Sequence, residues 1–259
     1  MNLTGACVLI TGASSGIGAA CAGAFARAGA RLVLAARRHE RLAALAAELS
    51  AATGAEMRTA TLDVRDRKEV ERFLGELPPS WGAVDILVNN AGLSRGLAPL
   101  HQGEVSDWEE MLDTNVKGLL YVTRVVAQGM VARGRGHIIN IGSIAGHETY
   151  PGGNVYCASK HAVTALTRGL AQDLLGTGVR VSSVDPGLVE TEFSLVRFHG
   201  DAERAKTPYQ GMQPLTAEDV AEAVVFCATR PAHVTVREMV LLPAEQASAV
   251  HVHRRPADR

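Results

Sequence analysis

The chain has 259 residues, of which 47% are hydrophobic and 20% are charged, and its formal net charge is −1. This near-neutral balance gives no electrostatic reason to expect a nucleic-acid partner or an anionic membrane surface, and no apolar stretch is long enough to span a membrane. The four cysteines, Cys7, Cys21, Cys157 and Cys227, occur singly and outside any histidine cluster, so we expect neither a disulfide framework nor a metal site. The N-terminus lacks a signal-peptide pattern, which makes a cytoplasmic protein with free thiols the expectation.

Short apolar runs alternate with helical patterns along the chain. Strands are predicted over 6–11, 31–36, 56–64, 84–92, 137–143, 179–187 and 236–243, and helices over 19–29, 39–54, 66–77, 107–134, 156–178 and 216–229. This alternation is typical of βαβ units around a parallel sheet, and fully apolar strands indicate helices on both faces. We predict a single doubly wound α/β domain over residues 1–259. Its irregular segment, about 190–215, is predicted to act as a substrate loop or lid.

The first strand–helix turn reads TGASSGIG, with glycines at Gly12, Gly16 and Gly18. Glycines let a phosphate approach the backbone closely, and the N-terminus of the following helix supplies unpaired N–H groups. The turn therefore indicates a dinucleotide-binding site, and a Gly-rich turn without a ligand is the alternative.

The second predicted strand ends at Ala36, where an acidic residue would bind the ribose hydroxyls of NAD. Arg37 and Arg38 follow instead. Because guanidinium groups bind phosphate, this pattern favours NADP, although either arginine can simply begin the next helix. Asp63 ends the third strand and NNAG, residues 89–92, ends the fourth, and both are expected at the same ligand-binding edge.

Tyr156 and Lys160 are four residues apart in GGNVYCASKHA, and therefore share one helix face. The chain has only four lysines. A phenol with a pKa near 10 is a poor acid–base catalyst, but a nearby ammonium group lowers that pKa. Ser143, ending the fifth strand, can hydrogen-bond a carbonyl oxygen as it gains charge. Asn115 interrupts a long helical pattern, and its side chain or a distorted backbone there can order a water leading to Lys160.

Taken in order, TGASSGIG, LDV, NNAG, DTNVKG, Ser143, YCASK and DPGLVET resemble the motifs of the short-chain dehydrogenases/reductases along essentially the whole chain. The resemblance implies a Rossmann-type sheet of seven strands, a nicotinamide cofactor, here NADP(H), and the catalytic residues Asn115, Ser143, Tyr156 and Lys160. The implied cofactor-binding residues are Gly12, Ser14, Ser15, Gly16, Ile17, Gly18, Arg37, Arg38, Asp63, Val64, Asn89, Ala91, Gly92, Tyr156, Lys160, Pro186, Gly187, Val189 and Thr191.

Less generic segments, among them ARRHERL, GHIINIGSIAG and PGLVETEFSLVRF, resemble the NADP-dependent 3-hydroxy acid dehydrogenases. That resemblance implies oxidation of serine, allo-threonine and similar 3-hydroxy acids, or reduction of malonic semialdehyde. Reduction of another aldehyde or ketone, such as sulfoacetaldehyde or an antibiotic precursor, is the alternative within enzymes. An NADP-binding sensor without turnover is the alternative outside them, but it predicts a damaged catalytic set, and all four residues are present.

A hydroxy-acid substrate needs a cationic partner for its carboxylate, and Arg197, in the irregular EFSLVRFHGD, is our candidate. A surface or subunit contact is the alternative role for this arginine. Ser143, His147 and Gly153 are further candidate substrate contacts, whereas Glu148 would repel a carboxylate. The family resemblance implies a homotetramer through the helices of Asn115 and Tyr156, with a homodimer as the alternative.

Overall fold

The computed structural model describes residues 2–255. Seven strands form one sheet in the order β3-β2-β1-β4-β5-β6-β7, and each neighbouring pair is parallel. The strands are β1 Cys7–Thr11, β2 Arg31–Ala36, β3 Met57–Thr61, β4 Ile86–Asn89, β5 Gly136–Ile141, β6 Val179–Pro186 and β7 Glu238–Leu241. The predicted doubly wound, seven-stranded Rossmann-type α/β fold is confirmed. Met1 and residues 256–259, which the single-domain prediction includes, lie outside the described residues.

Helices connect these strands on both faces of the sheet. They are α1 Gly16–Arg27, α2 His39–Thr53, α3 Arg67–Gly75, α4 Pro79–Gly82, α5 Val105–Leu112, α6 Leu119–Arg133, α7 Asn154–Asp173, α8 Phe193–Arg197, α9 Ala202–Lys206 and α10 Ala217–Thr229. Thr216 caps α10 with a capping box, as its sequence position indicates. Gly54 ends α2 in the left-handed conformation, which glycine adopts without a steric penalty.

Two apolar layers hold the helices on the sheet. Val8 and Ile10 of β1 face the layer that contains α1, α2 and α10, whereas Cys7 and Leu9 face the layer with α3, α6 and α7. This alternation follows from the two-residue period of a strand, and it buries β1 on both sides. Phe25 of α1 is fully buried in the first layer, so its truncation to alanine would cost about 3–5 kcal/mol of stability.

Several predicted segments differ from the observed ones; the helix predicted over 156–178, for example, is α7, Asn154–Asp173. The third strand ends at Thr61 rather than 64 because β2, its only partner, ends at the paired Ala36. The predicted helix over 107–134 is divided into α5, a π-helix over Asp113–Gly118, and α6. Residues 190–215 contain the short helices α8 and α9 as well as irregular backbone.

Candidate active site

A cavity of about 710 Å³ lies at the carboxyl ends of the strands, the edge where parallel α/β sheets bind ligands. Most of the predicted site residues line it. They are Gly12, Ser14, Ser15, Gly16, Ile17, Arg37, Arg38, Asp63, Val64, Ala91, Gly92, Ser143, Tyr156, Lys160, Pro186, Gly187, Val189, Thr191 and Arg197. The structure therefore brings both ends of the predicted site, the phosphate turn and the Tyr–Lys pair, into one space.

Three predicted contacts have packing roles instead of a place on the cavity wall. The amide of Asn89 donates to Thr123 and Asn140 inside the protein, and its neighbour Asn90 lines the cavity. A side chain at Gly18 would come within 2.5 Å of the Gly12 carbonyl oxygen. Gly153 likewise leaves space for a ring, that of Tyr150. Asn89, Gly18 and Gly153 therefore pack against protein atoms and do not face the cavity.

The phosphate turn is open to an anion. Gly12 has a φ of +65°, and a side chain there would lie 2.9 Å from the Cα of Ala91. The first turn of α1 contains no acidic residue, and the Ser15 side chain makes no capping bond to it. The N–H groups and positive end of the helix dipole thus remain available, an arrangement that fits a dinucleotide pyrophosphate.

An arginine pair lies beside this turn. Arg38 donates from Nε to the Ser14 hydroxyl at 3.1 Å and from Nη2 to the Ser15 hydroxyl. Its Nη1 lies 2.9 Å from the Glu192 carboxylate, which also accepts from Arg41 at 2.6 Å. We call Arg38, Arg41 and Glu192 the Glu192 clasp. In this clasp two guanidinium groups surround the Glu192 carboxylate. The same N–H donors can bind the 2′-phosphate of NADP.

Arg37 has a different setting from Arg38. Half of its side chain is exposed and its Nη1 lies 3.7 Å from Glu110. Glu110 also pairs with Arg65 and Arg95, and these cations hold the pKa of Glu110 below its ordinary value despite partial burial, which raises it. Both predicted arginines thus reach the cavity, each already opposite a carboxylate.

The chemical end centres on α7. Tyr156 and Lys160 are buried, and the Lys160 Nζ donates to the Ile141 carbonyl oxygen at 2.9 Å. Burial lowers the pKa of Lys160 to about 8, and the Asp185 carboxylate opposes this shift. A buried amine with that pKa exchanges its proton close to neutral pH.

Arg197 and Ser143 act on the Tyr156 phenol. Burial raises the pKa of Tyr156, whereas the charge of Arg197 and a hydrogen bond with Ser143 lower it. Lys160, expected from the sequence to be the lowering cation, has its Nζ 6.0 Å from the Tyr156 ring centroid and is not among those influences. In this arrangement the neutral phenol is favoured, the form that donates a proton.

Asn115 lies within the π-helix between α5 and α6. Its Oδ1 accepts from the Leu93 N–H, and its Nδ2 donates to the Leu93 carbonyl and the Ser159 hydroxyl, at 2.8 to 3.0 Å. The side chain therefore ties the end of β4 to α7. Since Oδ1 accepts only one of the two hydrogen bonds that an amide oxygen can accept, the side chain and the distorted backbone are both available to order a water.

Arg197 is held by two hydrogen bonds and three aromatic rings. Its Nε donates to Ser94 at 3.0 Å and its Nη2 to the Tyr150 hydroxyl at 2.8 Å. Its Cζ lies 5.2 Å from the ring centroids of both Tyr156 and Phe193, and 5.8 Å from that of Tyr150. We call this set the arginine cage. It fixes a cation beside the Tyr156 phenol in the cavity wall.

Sequence reasoning found Arg197 but missed the groups that hold it. Ser94 and Tyr150 lie in two separate loops and Phe193 begins α8. Of the three, only Tyr150, just before the Gly152-Gly153 step, has a local sequence signal. His147 does not line the cavity; its Nε2 lies 2.8 Å from the Asp185 carboxylate instead.

Glu148 is hydrogen-bonded to the C-terminal segment. Its carboxylate accepts from the Ala249 N–H at 2.7 Å. The repulsion expected between Glu148 and a substrate carboxylate is therefore reduced, because the glutamate is directed at backbone and does not line the cavity.

Comparison with known proteins identifies the family. A sequence model described as short chain dehydrogenase matches residues 6–200. The chain belongs to the short-chain dehydrogenase family. This short-chain dehydrogenase is 51% identical to the NADP-dependent 3-hydroxy acid dehydrogenase YdfG of Salmonella typhimurium over 249 residues, or 95% of this chain and 99% of the relative.

Two further proteins are similarly close. Sulfoacetaldehyde reductase 2 of Chromohalobacter salexigens is 49% identical, over 95% of this chain and 98% of its own. The closed form of serine dehydrogenase complexed with NADP+ is 49% identical with a TM-score of 0.91, covering 96% of this chain and 100% of that one. The resemblances predicted from the motifs are confirmed.

Residues 2–255 lack two further kinds of feature. No helix there has the length and apolarity to cross a bilayer. No group of three or more His, Cys, Asp or Glu side chains in the same range is placed to hold a metal ion.

Proposed function

We propose that this protein is an NADP(H)-dependent oxidoreductase that interconverts an alcohol and a carbonyl on a small 3-hydroxy acid, such as serine, allo-threonine or malonic semialdehyde. The observation that carries the substrate class is the arginine cage, which holds a cation 5.2 Å from the ring of the catalytic tyrosine. The NADP dependence named for the similar dehydrogenases supports the cofactor.

Residues around the phosphate turn hold the cofactor. Gly12, Gly16 and the N-terminus of α1 receive the pyrophosphate, and Arg38 with Arg37 receives the 2′-phosphate. Val189 and Thr191, after β6, receive the nicotinamide carboxamide, and Lys160 the nicotinamide ribose, as the family resemblance implies. When bound, the cofactor supplies or accepts the hydride.

The side chains on α7 and after β5 handle the proton. Tyr156 donates its phenolic proton to the oxygen of the carbonyl as it becomes an alcohol, and removes the hydroxyl proton in the reverse direction. Ser143 hydrogen-bonds the same oxygen and orients it. The Arg197 charge stabilises the phenolate left behind. Asn115 orders a water leading to Lys160, which takes part in the proton relay.

Arg197 binds the substrate carboxylate. The guanidinium donates from Nε to Ser94 and from Nη2 to Tyr150. Its other N–H groups are available to bind an anion. In a 3-hydroxy acid, a single carbon separates the carbinol carbon from the carboxylate, which suits an acid–base group and an anion site this close together. Uncharged alcohols of the same size lack this contact.

Sulfoacetaldehyde reduction is the second candidate, because one relative, at 49% identity, is named a sulfoacetaldehyde reductase. A guanidinium also offers a sulfonate the same charge and the same paired N–H donors that it offers a carboxylate. A substrate panel separates the two. L-Serine, L-allo-threonine and 3-hydroxypropionate are assayed with NADP, and sulfoacetaldehyde and bulky aldehydes with NADPH. Activity on the 3-hydroxy acids supports the proposal, and activity on sulfoacetaldehyde alone selects the second candidate.

Residues 190–215 form the lid of the proposed single domain over 1–259. Arg95 donates to the Val196 carbonyl at 2.6 Å, and the Gly96 N–H to the Arg197 carbonyl at 2.8 Å. The Glu192 clasp fastens the other end. Movement of this segment would admit substrate, and limited proteolysis with and without NADPH measures it.

The protein is further proposed to be a cytoplasmic homotetramer or homodimer. Leu112 of α5 and Leu120 and Val131 of α6 expose apolar side chains on the helices that the family resemblance implicates in assembly. Within the described residues all four cysteines are buried and free, which suits a reducing compartment. Light scattering after gel filtration measures the assembly.

A further inference from the structure

A fully buried carboxylate lies behind the catalytic helix, and the mechanism above does not use it. Asp185, near the end of β6, has no exposed surface. The Ser183 hydroxyl donates to its Oδ1, and the His147 Nε2 lies 2.8 Å from its Oδ2. Both carboxylate oxygens thus have a partner, and the side chain is held in one orientation.

Space for this carboxylate is provided by the neighbouring strand. Gly142 follows β5, and any side chain there would collide with Asp185 Oδ1. The preceding residue, Ile141, accepts the hydrogen bond from the Lys160 Nζ. The carboxylate and the ammonium group are therefore neighbours of the same strand end, one packed against residue 142 and the other bound to residue 141.

Burying a carboxylate is costly unless a charge or a set of donors compensates it. Burial raises the pKa of Asp185, and this rise is opposed by the hydrogen bonds from Ser183 and His147 and by the charge of Lys160. Lys160 on α7 and His147 in the turn after β5 are the titratable groups that face it. Arg168, two helical turns beyond Lys160 on α7, also interacts electrostatically with Asp185, but its guanidinium is paired with Glu238 of β7 at 2.6 Å. Among the described residues, Lys160 is the buried cation near this carboxylate.

We propose that Asp185 is a positioning residue that supplies the counter-charge keeping Lys160 in its ammonium form within the desolvated active site. This inference rests on the proposed role of Lys160 in the proton relay. Ser183 and His147 hold the carboxylate in place, and the exposed part of His147, about 21% of its side chain, connects the buried group to solvent.

The sign of the expected pH effect follows from linkage. An unfolded lysine releases its proton near pH 10.4, whereas burial lowers the folded pKa of Lys160 to about 8 against the opposing Asp185 charge. Between the folded and unfolded pKa values the unfolded chain holds one more proton, so the unfolding constant falls tenfold per pH unit. Because the Asp185 charge raises the pKa of Lys160, removing it should extend the pH range of this dependence below pH 8.

The test compares Asp185→Asn with the unchanged full-length chain in urea unfolding at pH 7.0, 7.5 and 8.0. The measured quantity is the unfolding constant of Asp185→Asn divided by that of the unchanged chain. We expect this ratio to fall, by up to tenfold per pH unit, as the pH rises from 7.0 to 8.0. Asparagine keeps the shape, so packing losses alone would give a ratio without pH dependence. His147→Gln, which retains an N–H donor and the Asp185 charge, is the matched control and should show a flat ratio.

A second pair of variants ties the effect to Lys160. With Lys160→Met as the reference, adding Asp185→Asn should give a ratio that is flat with pH. A flat ratio for Asp185→Asn alone, or a slope that persists without Lys160, overturns the inference. If Asp185→Asn alone does not fold, the double variant decides. Folding of the double variant supports the counter-charge role of Asp185. Failure of the double variant to fold refutes that role, because the need for Asp185 would then be independent of Lys160.

Turnover provides a separate reading. In the reducing direction with NADPH, Asp185→Asn should lose several-fold more activity at pH 8 than at pH 6, relative to the unchanged chain. Equal losses at both pH values would contradict the inference. If the unchanged chain reduces no carbonyl in the panel, the proposed function fails, while the unfolding experiment still decides the role of Asp185.

Discussion

Replacing Arg197 by glutamine would remove the cation of the arginine cage and leave a side chain of similar length. A charge-assisted hydrogen bond contributes about 1.5–3 kcal/mol, which corresponds to roughly 10- to 150-fold in kcat/KM. We expect a loss of this size on 3-hydroxypropionate or L-serine. Some of the loss will be shared by all substrates, because the same charge lowers the pKa of Tyr156.

The ratio of two substrates separates these effects. kcat/KM is measured with NADP for 3-hydroxypropionate and for 1,3-propanediol, its uncharged counterpart, and only the acid should lose the additional factor. Arg204→Gln is the matched control, since Arg204 lies on the same segment and stacks on Phe198, with its Cζ 4.6 Å from that ring. Arg197→Lys should fall between, because lysine keeps the charge but not the fork that reaches both Ser94 and Tyr150. Equal losses on acid and diol would refute carboxylate binding by Arg197.

Tyr156→Phe should lower turnover by about 10²–10⁴-fold while NADPH still binds; near-normal rates would exclude a phenolic acid–base group. Glu192→Gln frees the arginines of the Glu192 clasp, so NADPH should bind about twofold to fivefold more tightly with NADH unchanged, as measured by cofactor fluorescence. The exposed Glu190→Gln is its control, and an equal gain for NADH would argue against competition with a 2′-phosphate. Because Lys160 loses its proton near a pKa of about 8, carbonyl reduction should decline above pH 8. In Lys160→Arg, whose guanidinium does not titrate there, any remaining activity should lack that decline.

Local patterns predicted the elements, including the helix that carries Tyr156 and Lys160, because both the elements and this pair depend on short-range spacing. Tyr156 and Lys160 share a face through helix geometry alone, and the glycines of the first turn carry their own conformational requirement. Asn89 and Asn90 show where this stops. The two letters are identical in sequence, and only the pairing of β4 with β5 decides which amide faces the sheet interior and which the cavity.

Contacts between segments far apart in the chain could not be predicted from the sequence. Glu192 meets Arg38 across 154 residues, and Arg197 meets Ser94 across 103. Neither pair has a periodic pattern, since each depends on how the segment after β6 lies over the cavity. Asp185 was hidden for another reason: within DPGLVET it reads as an ordinary turn residue, and its burial follows from the glycine at 142 on the adjacent strand.

The burial of one lysine has a practical consequence for chemical handling of the protein. Lys68, Lys117 and Lys206 are exposed, whereas Lys160 is 7% exposed at the cavity wall. Bulky amine-reactive supports would therefore attach through the three surface lysines and leave the cavity open. A small acylating reagent that enters the cavity would meet Lys160 partly as the free amine near pH 8. Protection of that one site by a nucleotide would then serve as a footprint of occupancy that requires no substrate.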